Sequence, residues 1–531
     1  MKSLLAVVTV CAVLTLAAGV TLADVALSPL EQLGKFIYFD KISQPGSMAC
    51  ADCHAGSVGF TGPIPGINKH GAVYRGAEPR RFGNRKPPAA SYASFAPILH
   101  YDAGEGLFIG GNFWDGRATG ERLGSPTAEQ ALGPFLNPVE QNMPSRQAVL
   151  EKIAASKYAW LWSEVWGAPI SVATPADIDM NYDRIGLSVG AFEASHELNQ
   201  FSSKFDVFWF NAVAAGMDVA AVNMMNWMDY AGLGLGDDEL LGLALYADED
   251  KGKCALCHVL TSEGTTPPLF TDFTFDNLGV PKNPDNPFYR MDKVYLDDGS
   301  PINPQGADWV DPGLGGFLAS RMDYAMYAAE NYGKHKVPSL RNVDRRPGNK
   351  NLEPFLEDVD MPAPEGFPKA FMHNGVFKSL EEVVHFYNTR DVEEWPAPEV
   401  AENVNTDELG NLGLSGEEED LIVLFMRTLS DGYTAPWDGM LLSNASSSLD
   451  VSGPNPFNPS TTIRFALTRA GNVRVDAYNV AGQHVSALVN GWKDAGEHKV
   501  VFDANTLPSG VYFVRLTTAG STLTTKAVLL K

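Results

Sequence analysis

Apolar residues recur at helical spacing in four stretches of the chain. Leu30, Leu33, Ile37 and Tyr38 follow Ser28-Pro29, a cap residue and a helix-starting proline. A second such run extends from Asp238 to about Ala247, and a third carries Ile185, Val189, Phe192 and Leu198 in the stretch that ends at His196-Glu-Leu-Asn199. The fourth begins at Ser415-Gly-Glu-Glu418, a capping box, ahead of Leu421, Leu424, Phe425 and Leu429. Between them lie segments rich in proline and glycine, notably 60–111, 261–320 and 344–369. Loops of that length in a compact domain are usually functional or wrap something large.

After Ser443-Asn-Ala-Ser-Ser-Ser448 the character changes. Thr461–Leu467, Val473–Val480, Lys499–Asp503, Val511–Thr517 and Thr522–Leu530 are short, rich in β-branched and aromatic residues, and separated by turn residues. They predict a small all-β sandwich of the immunoglobulin type.

Charge supports a boundary there. The 531 residues carry 64 Asp plus Glu against 40 Lys plus Arg, a net charge of -24. From residue 446 onward eight Lys plus Arg face five Asp plus Glu, so the excess acid belongs to the preceding region, -28 over residues 24–445. Nucleic acid is excluded as a natural partner, because phosphate backbones select basic surfaces. A basic protein partner fits better.

Met1 to about Ala23 has an early Lys2, an apolar run Leu4–Leu16 broken only by Thr9 and Thr15, and a small-residue site at Thr21-Leu-Ala23. This predicts a secretory signal peptide over residues 1–23, too short in its apolar part for a membrane span. No later segment reads as a span. Of the five cysteines, Cys11 goes with the signal and four remain.

Those four form Cys50-Ala-Asp-Cys53-His54 and Cys254-Ala-Leu-Cys257-His258. Two thiols that add to the two vinyl groups of a haem, followed at once by a histidine that reaches the iron, make the attachment motif of c-type haem. Disulfides, a zinc site and a thioredoxin-like pair are the alternatives. A redox pair does not need the following histidine twice, and a zinc site built from both pairs leaves two histidines unexplained. Two covalent c-type haems are expected, with His54 and His258 as iron ligands.

Further motifs follow in order: Phe113-Trp-Asp-Gly-Arg-Ala118, Glu129-Gln-Ala-Leu-Gly-Pro134, Asn137-Pro-Val-Glu140, Val337-Pro-Ser-Leu-Arg-Asn342, and Met372-His-Asn-Gly375 with Leu380-Glu-Glu-Val-Val-His-Phe-Tyr387. With them, residues from about 28 to 432 resemble the bacterial di-haem cytochrome c peroxidases and their MauG-like relatives. The resemblance implies two mainly α-helical c-type cytochrome domains with long loops, an N-terminal one over 24–200 with the peroxidatic haem and a C-terminal one over 201–443 with the electron-transfer haem. A linker over 444–451 would lead to the sandwich at 452–531. The resemblance puts Gln130 and Glu140 in the pocket of the first haem, Glu140 as the acid-base group, and Trp114 between the haems.

The axial ligands it implies point two ways. Tyr387, fourteen residues after His373, stands where MauG-like enzymes place a tyrosine ligand, with Met326 and Met372 as rivals. His70, sixteen residues after His54, stands where donor-dependent peroxidases hold a blocking histidine. Family members also hold one calcium ion between the domains, partly through backbone carbonyls. The corresponding segments here, Asn84-Arg-Lys-Pro87 and Pro368-Lys-Ala370, depart from the usual pattern.

Residues from about 452 to 531, with Pro454-Asn-Pro-Phe-Asn-Pro-Ser460 and Leu507-Pro-Ser-Gly-Val-Tyr-Phe513, resemble the C-terminal sorting domain of type IX secretion cargo and related FlgD-like modules. This implies an exported protein, periplasmic or at the cell surface, handled by the sorting machinery. Three functions are in play. The first is a MauG-like peroxidase that uses hydrogen peroxide to oxidise a protein partner through a high-valent di-haem state. The second is a cytochrome c peroxidase fed by a small cytochrome or cupredoxin. The third is a non-enzymatic di-haem electron carrier.

Overall fold

A computed structural model describes residues 27–262, 264–347, 366–433, 448–467, 471–479, 483–493, 496–518 and 522–531. The expected signal peptide, and much of the loop 344–369, lie outside the described residues. Those described fall into two compact units, a body within 26–436 and a terminal unit within 437–531. Among them no helix is long and apolar enough to cross a membrane.

Six helices of the body frame its two cysteine-pair sites. They are α1 (Pro29–Phe39), α2 (Pro126–Leu136), α3 (Pro175–Glu193), α4 (Asp237–Ala247), α5 (Leu380–Thr389) and α6 (Gly416–Arg427). Their starts follow the sequence chemistry: capping boxes close α1 on Ser28 and Glu31, α3 on Thr174 and Asp177, and α6 on Ser415 and Glu418. Proline at the first helical position of α1, α2 and α3 gives up an amide that would have no partner there.

The body has two large apolar cores. Leu33, Ile37, Leu132, Trp162, Ile185 and Phe192 belong to the first, and Phe205, Leu240, Leu243, Ile422, Phe425 and Leu429 to the second. Each core has at its centre a helix pair that meets at a glycine. A Cβ on Gly34 of α1 would lie 1.8 Å from the Ser188 carbonyl oxygen of α3, and one on Gly242 of α4 would lie 2.1 Å from that of Leu421 in α6. Neither approach tolerates a side chain. The third apolar run is shorter than its pattern suggests: α3 ends at Glu193, and the buried Leu198 packs on the core from beyond it. Asn199 closes that end, its side-chain amide donating to the carbonyls of Glu193 at 2.9 Å and Ser195 at 3.2 Å.

Arg341 is 1% exposed and donates to Asp206 at 3.0 Å and to the Pro268 carbonyl at 2.8 Å. Its guanidinium lies 4.6 Å from the ring centre of Phe201 and 5.2 Å from that of Tyr92. Burial outweighs the arginine's pull and keeps the Asp206 carboxyl above its ordinary range.

The terminal unit holds strands β1 (Ser448–Val451), β2 (Ser460–Leu467), β3 (Gly471–Asn479), β4 (His484–Lys493), β5 (Gly496–Asp503), β6 (Gly510–Thr517) and β7 (Thr522–Leu529). They pair antiparallel into sheets of order β7-β6-β3-β4 and β1-β2-β5. Alternate residues of β2 and β6, including Ile463, Phe465, Val514 and Leu516, enter one core fed by both sheets. Two of these strands were not anticipated. β1 begins within the stretch expected to be linker, and β4 is hidden by Asn490-Gly491 and by register shifts in its pairing with β3.

Arg341→Met should lower body stability by roughly 3 kcal/mol, the lower end for a broken buried pair because Asp206 can take up a proton. Urea unfolding of the haem-loaded chain measures it.

Candidate active site

Both haem motifs sit in the same local geometry. Each cysteine pair opens on a short 3-10 turn, Cys50–Asp52 and Cys254–Leu256, so the two thiols of a pair lie one turn apart. All four thiols are free, and burial pushes Cys50 and Cys254 up to about 12 and raises Cys53 and Cys257 as well. Such thiols are the reverse of a redox-active pair, whose thiolate is stabilised.

Nδ1 of His54 lies 3.1 Å from the Phe60 carbonyl oxygen, and Nδ1 of His258 lies 2.9 Å from that of Phe270. A proton on Nδ1 then leaves Nε2 as the nitrogen free to bind metal. Burial pulls both imidazoles down to about 4, so they are neutral at physiological pH. Tyr38 of α1 donates to the His54 carbonyl at 2.9 Å, and Tyr246 of α4 donates to the His258 carbonyl at 2.6 Å. Free paired thiols and a neutral imidazole, set in the wall of a largely apolar cavity, fit haem c in both places.

The first cavity collects Cys50, Cys53 and His54 with Trp114, Gln130 and Glu140. Gln130 comes from α2, and Glu140 from the turn that follows it. Burial raises the Glu140 carboxyl, opposed by the positive charge of Arg117 and a hydrogen bond at Asn137. Arg117 is fixed 3.7 Å from the Phe113 ring centre and pairs with Asp115 at 2.8 Å. Glu193 of α3 lines the same cavity with no charged partner among the described residues, and burial pushes it up to about 8.

The second cavity collects Cys254, Cys257 and His258 with Tyr387 of α5 and Met372. Burial holds the Tyr387 phenol well above its ordinary range, so phenolate would form there only in answer to a bound cation. His335 and His373 also line this cavity, their rings stacked 3.7 Å apart and 7° from parallel.

One wall is common to both. Trp114, Lys336, Val337 and Pro338 line the first cavity and the second. Trp114 is 8% exposed, and its indole N–H donates to the Lys86 carbonyl at 2.9 Å. Its own carbonyl accepts from the Lys336 amide at 2.9 Å.

His70 is not brought to either cavity. It ends the short helix Pro65–Lys69, its side chain is 66% exposed, and Nδ1 faces Asp285 at 3.5 Å. Met326, the other distant rival, is also exposed. Tyr246, Glu193 and His335 are site residues that the sequence did not mark, and Tyr38 was marked only as a helical core position. The tyrosines carried a signal, since Leu33-Gly34 and Leu241-Gly242 each precede a tyrosine by the same interval.

Comparison with known proteins finds relatives of both units. The family model for di-haem cytochrome c peroxidase matches residues 28–213, and that for a secretion system C-terminal sorting domain matches 454–530. The methylamine utilization protein MauG of Paracoccus denitrificans is 30% identical over 424 residues, 77% of this chain and 90% of that protein. The cytochrome-c peroxidase IdrP2 of Denitromonas iodatirespirans is 24% identical, over 76% of this chain and 81% of its own length. The crystal structure of the diheme peroxidase BthA from Burkholderia thailandensis superposes with a TM-score of 0.55 at 26% identity, covering 76% of this chain and 87% of that one.

Replacing Cys254 and Cys257 with alanine should remove about half of the covalently bound haem, read as pyridine haemochrome per chain.

Proposed function

We propose that this chain, which belongs to the di-haem cytochrome c peroxidase (MauG) family, is an exported enzyme that uses hydrogen peroxide to oxidise a protein partner. The observation that carries the MauG-like reading is Tyr387 in the wall of the second cavity. A phenolate ligand favours oxidised iron and disfavours easy reduction by a small cytochrome. The position of His70, outside the first cavity, supports the same reading. The body is read as two cytochrome domains meeting near residue 200, and the terminal unit as an immunoglobulin-type sorting sandwich. Its sorting-domain match supports a destination at the cell surface or outside the cell.

Haem, when bound, supplies the iron that reacts with peroxide and the ring system that spreads oxidising equivalents. The protein supplies the rest. Glu140, as carboxylate, takes the proton from the inner peroxide oxygen and returns it to the outer one, while the Gln130 amide holds the peroxide in place. The positive charge of Arg117 opposes the rise that burial gives the Glu140 carboxyl and so favours its base form. Trp114, pinned through its indole N–H, is the aromatic contact between the cavities. The charge of -28 over residues 24–445 favours a partner with a basic face.

Glu140→Gln should slow the reaction with peroxide by about 10²–10⁴-fold in stopped-flow mixing. The sign of the pH dependence follows from the raised carboxyl. The base form is lost as pH falls, so the rate should decline with a midpoint above the ordinary carboxylate range, and Glu140→Gln should abolish that limb.

Peroxide added to the diferric protein should give a long-lived absorption change involving both haems. Tyr387→Met should shorten it and raise the potential of the second haem by on the order of 0.1 V. Rapid oxidation of a reduced small cytochrome by the unmodified protein, with Tyr387→Met indistinguishable from it, would favour the donor-dependent reading and end this one.

A further inference from the structure

Calcium requires six to eight oxygen ligands, at least some of them anionic or free carbonyls. The segments where relatives hold it, 84–87 and 368–370, do not offer that here. The Asn84 carbonyl accepts from the Asn286 side-chain amide at 2.9 Å, and the Pro368 carbonyl accepts from that of Asn68 at 3.1 Å. The Pro87 carbonyl accepts from Thr61 at 2.7 Å and from the Lys86 ammonium at 3.2 Å. Three carbonyl oxygens of these segments are thus already engaged.

Positive charge is already present as well. The Arg85 guanidinium donates twice to Asp311, both at 2.6 Å, and once to Asp115 at 2.6 Å. Both carboxylates are buried. Lys369, 5% exposed, donates its ammonium to the carbonyls of Arg345 at 2.8 Å and Val58 at 3.2 Å. The Arg85–Asp311 and Lys369–Val58 contacts join residues from the first third of the chain to residues beyond 300, the junction that an interdomain ion would span. The cluster of Asp311, His335 and His373 is no substitute, because two of its donors are imidazoles, which suit softer metals than calcium.

We infer that the chain's own cations, Arg85 foremost and Lys369 with it, do the work of the calcium ion, and that the protein neither binds nor needs structural calcium. A divalent ion added there would meet side-chain cations and two carboxylates already committed to Arg85. Burial pulls Lys369 down to about 7, whereas its two carboxylates keep Arg85 charged throughout the working range, so Arg85 is the permanent part of the clamp.

The test uses the purified protein with both haems in place, dialysed against EGTA and then analysed for calcium, melting temperature and haem absorption. The expected result is less than about 0.1 calcium per chain, with Tm and spectrum unchanged by EGTA or by millimolar calcium. Retention of about one calcium per chain, or a fall in Tm with EGTA that calcium restores, would overturn the inference. Arg85→Gln should lower Tm by about 5 °C or more, since the buried Asp311 would lose its guanidinium and Asp115 would keep only that of Arg117. An unchanged Tm in that variant would remove Arg85 from the role even if calcium proved absent.

Discussion

An imidazole binds a metal only through a nitrogen that carries no proton, and it binds well only if the ring is already aimed. In this chain the backbone supplies both conditions twice. The carbonyls of Phe60 and Phe270 accept from Nδ1, burial keeps the rings neutral, and Tyr38 and Tyr246 fix the peptide that carries each histidine. The tyrosines come from α1 and α4, so those helices must sit close to the motifs. That closeness is set by the glycine crossings, at Gly34 against α3 and at Gly242 against α6. The apolar cores, the caps and the long loops then follow as the means of holding two such helix pairs around two cavities.

The two halves repeat this solution in sequence as well as in space. Leu33-Gly34, Tyr38 and Asp40 recur at the same intervals as Leu241-Gly242, Tyr246 and Asp248. Lys86-Pro87-Pro88 recurs as Lys336-Val337-Pro338, and the carbonyls of Pro88 and Pro338 both bear on a motif histidine. The remaining walls differ: one cavity offers a carboxylate and an amide, the other a phenol and a thioether. A common way of holding haem is thus combined with unlike side-chain chemistry in the rest of each cavity.

Much of this was legible in the chain because it is local. The cysteine pairs with their histidines announce themselves within five residues, and the capping residues of α1 and α6 mark those helix starts. Glu140, Gln130 and Trp114 were found through motifs, and they do line one cavity. What escaped is long-range or directional. The Arg85–Asp311 pair joins positions 226 residues apart, which no window on the sequence covers. His70 has the spacing of a ligand, but spacing along a loop does not set direction, and the turn after Lys69 points it at Asp285. Strand β4 was missed because its residues are largely half-exposed and its register is irregular, so the alternation that identifies a strand is blurred.

The wall common to the two cavities has a consequence for how such a protein can change. Trp114 comes from the first half and borders the second cavity, while Lys336, Val337 and Pro338 come from the second half and border the first. Neither half, cut out alone, would contain a complete haem chamber. The two cavities are therefore not independent parts: a substitution that reshapes their common wall from one side is felt on the other.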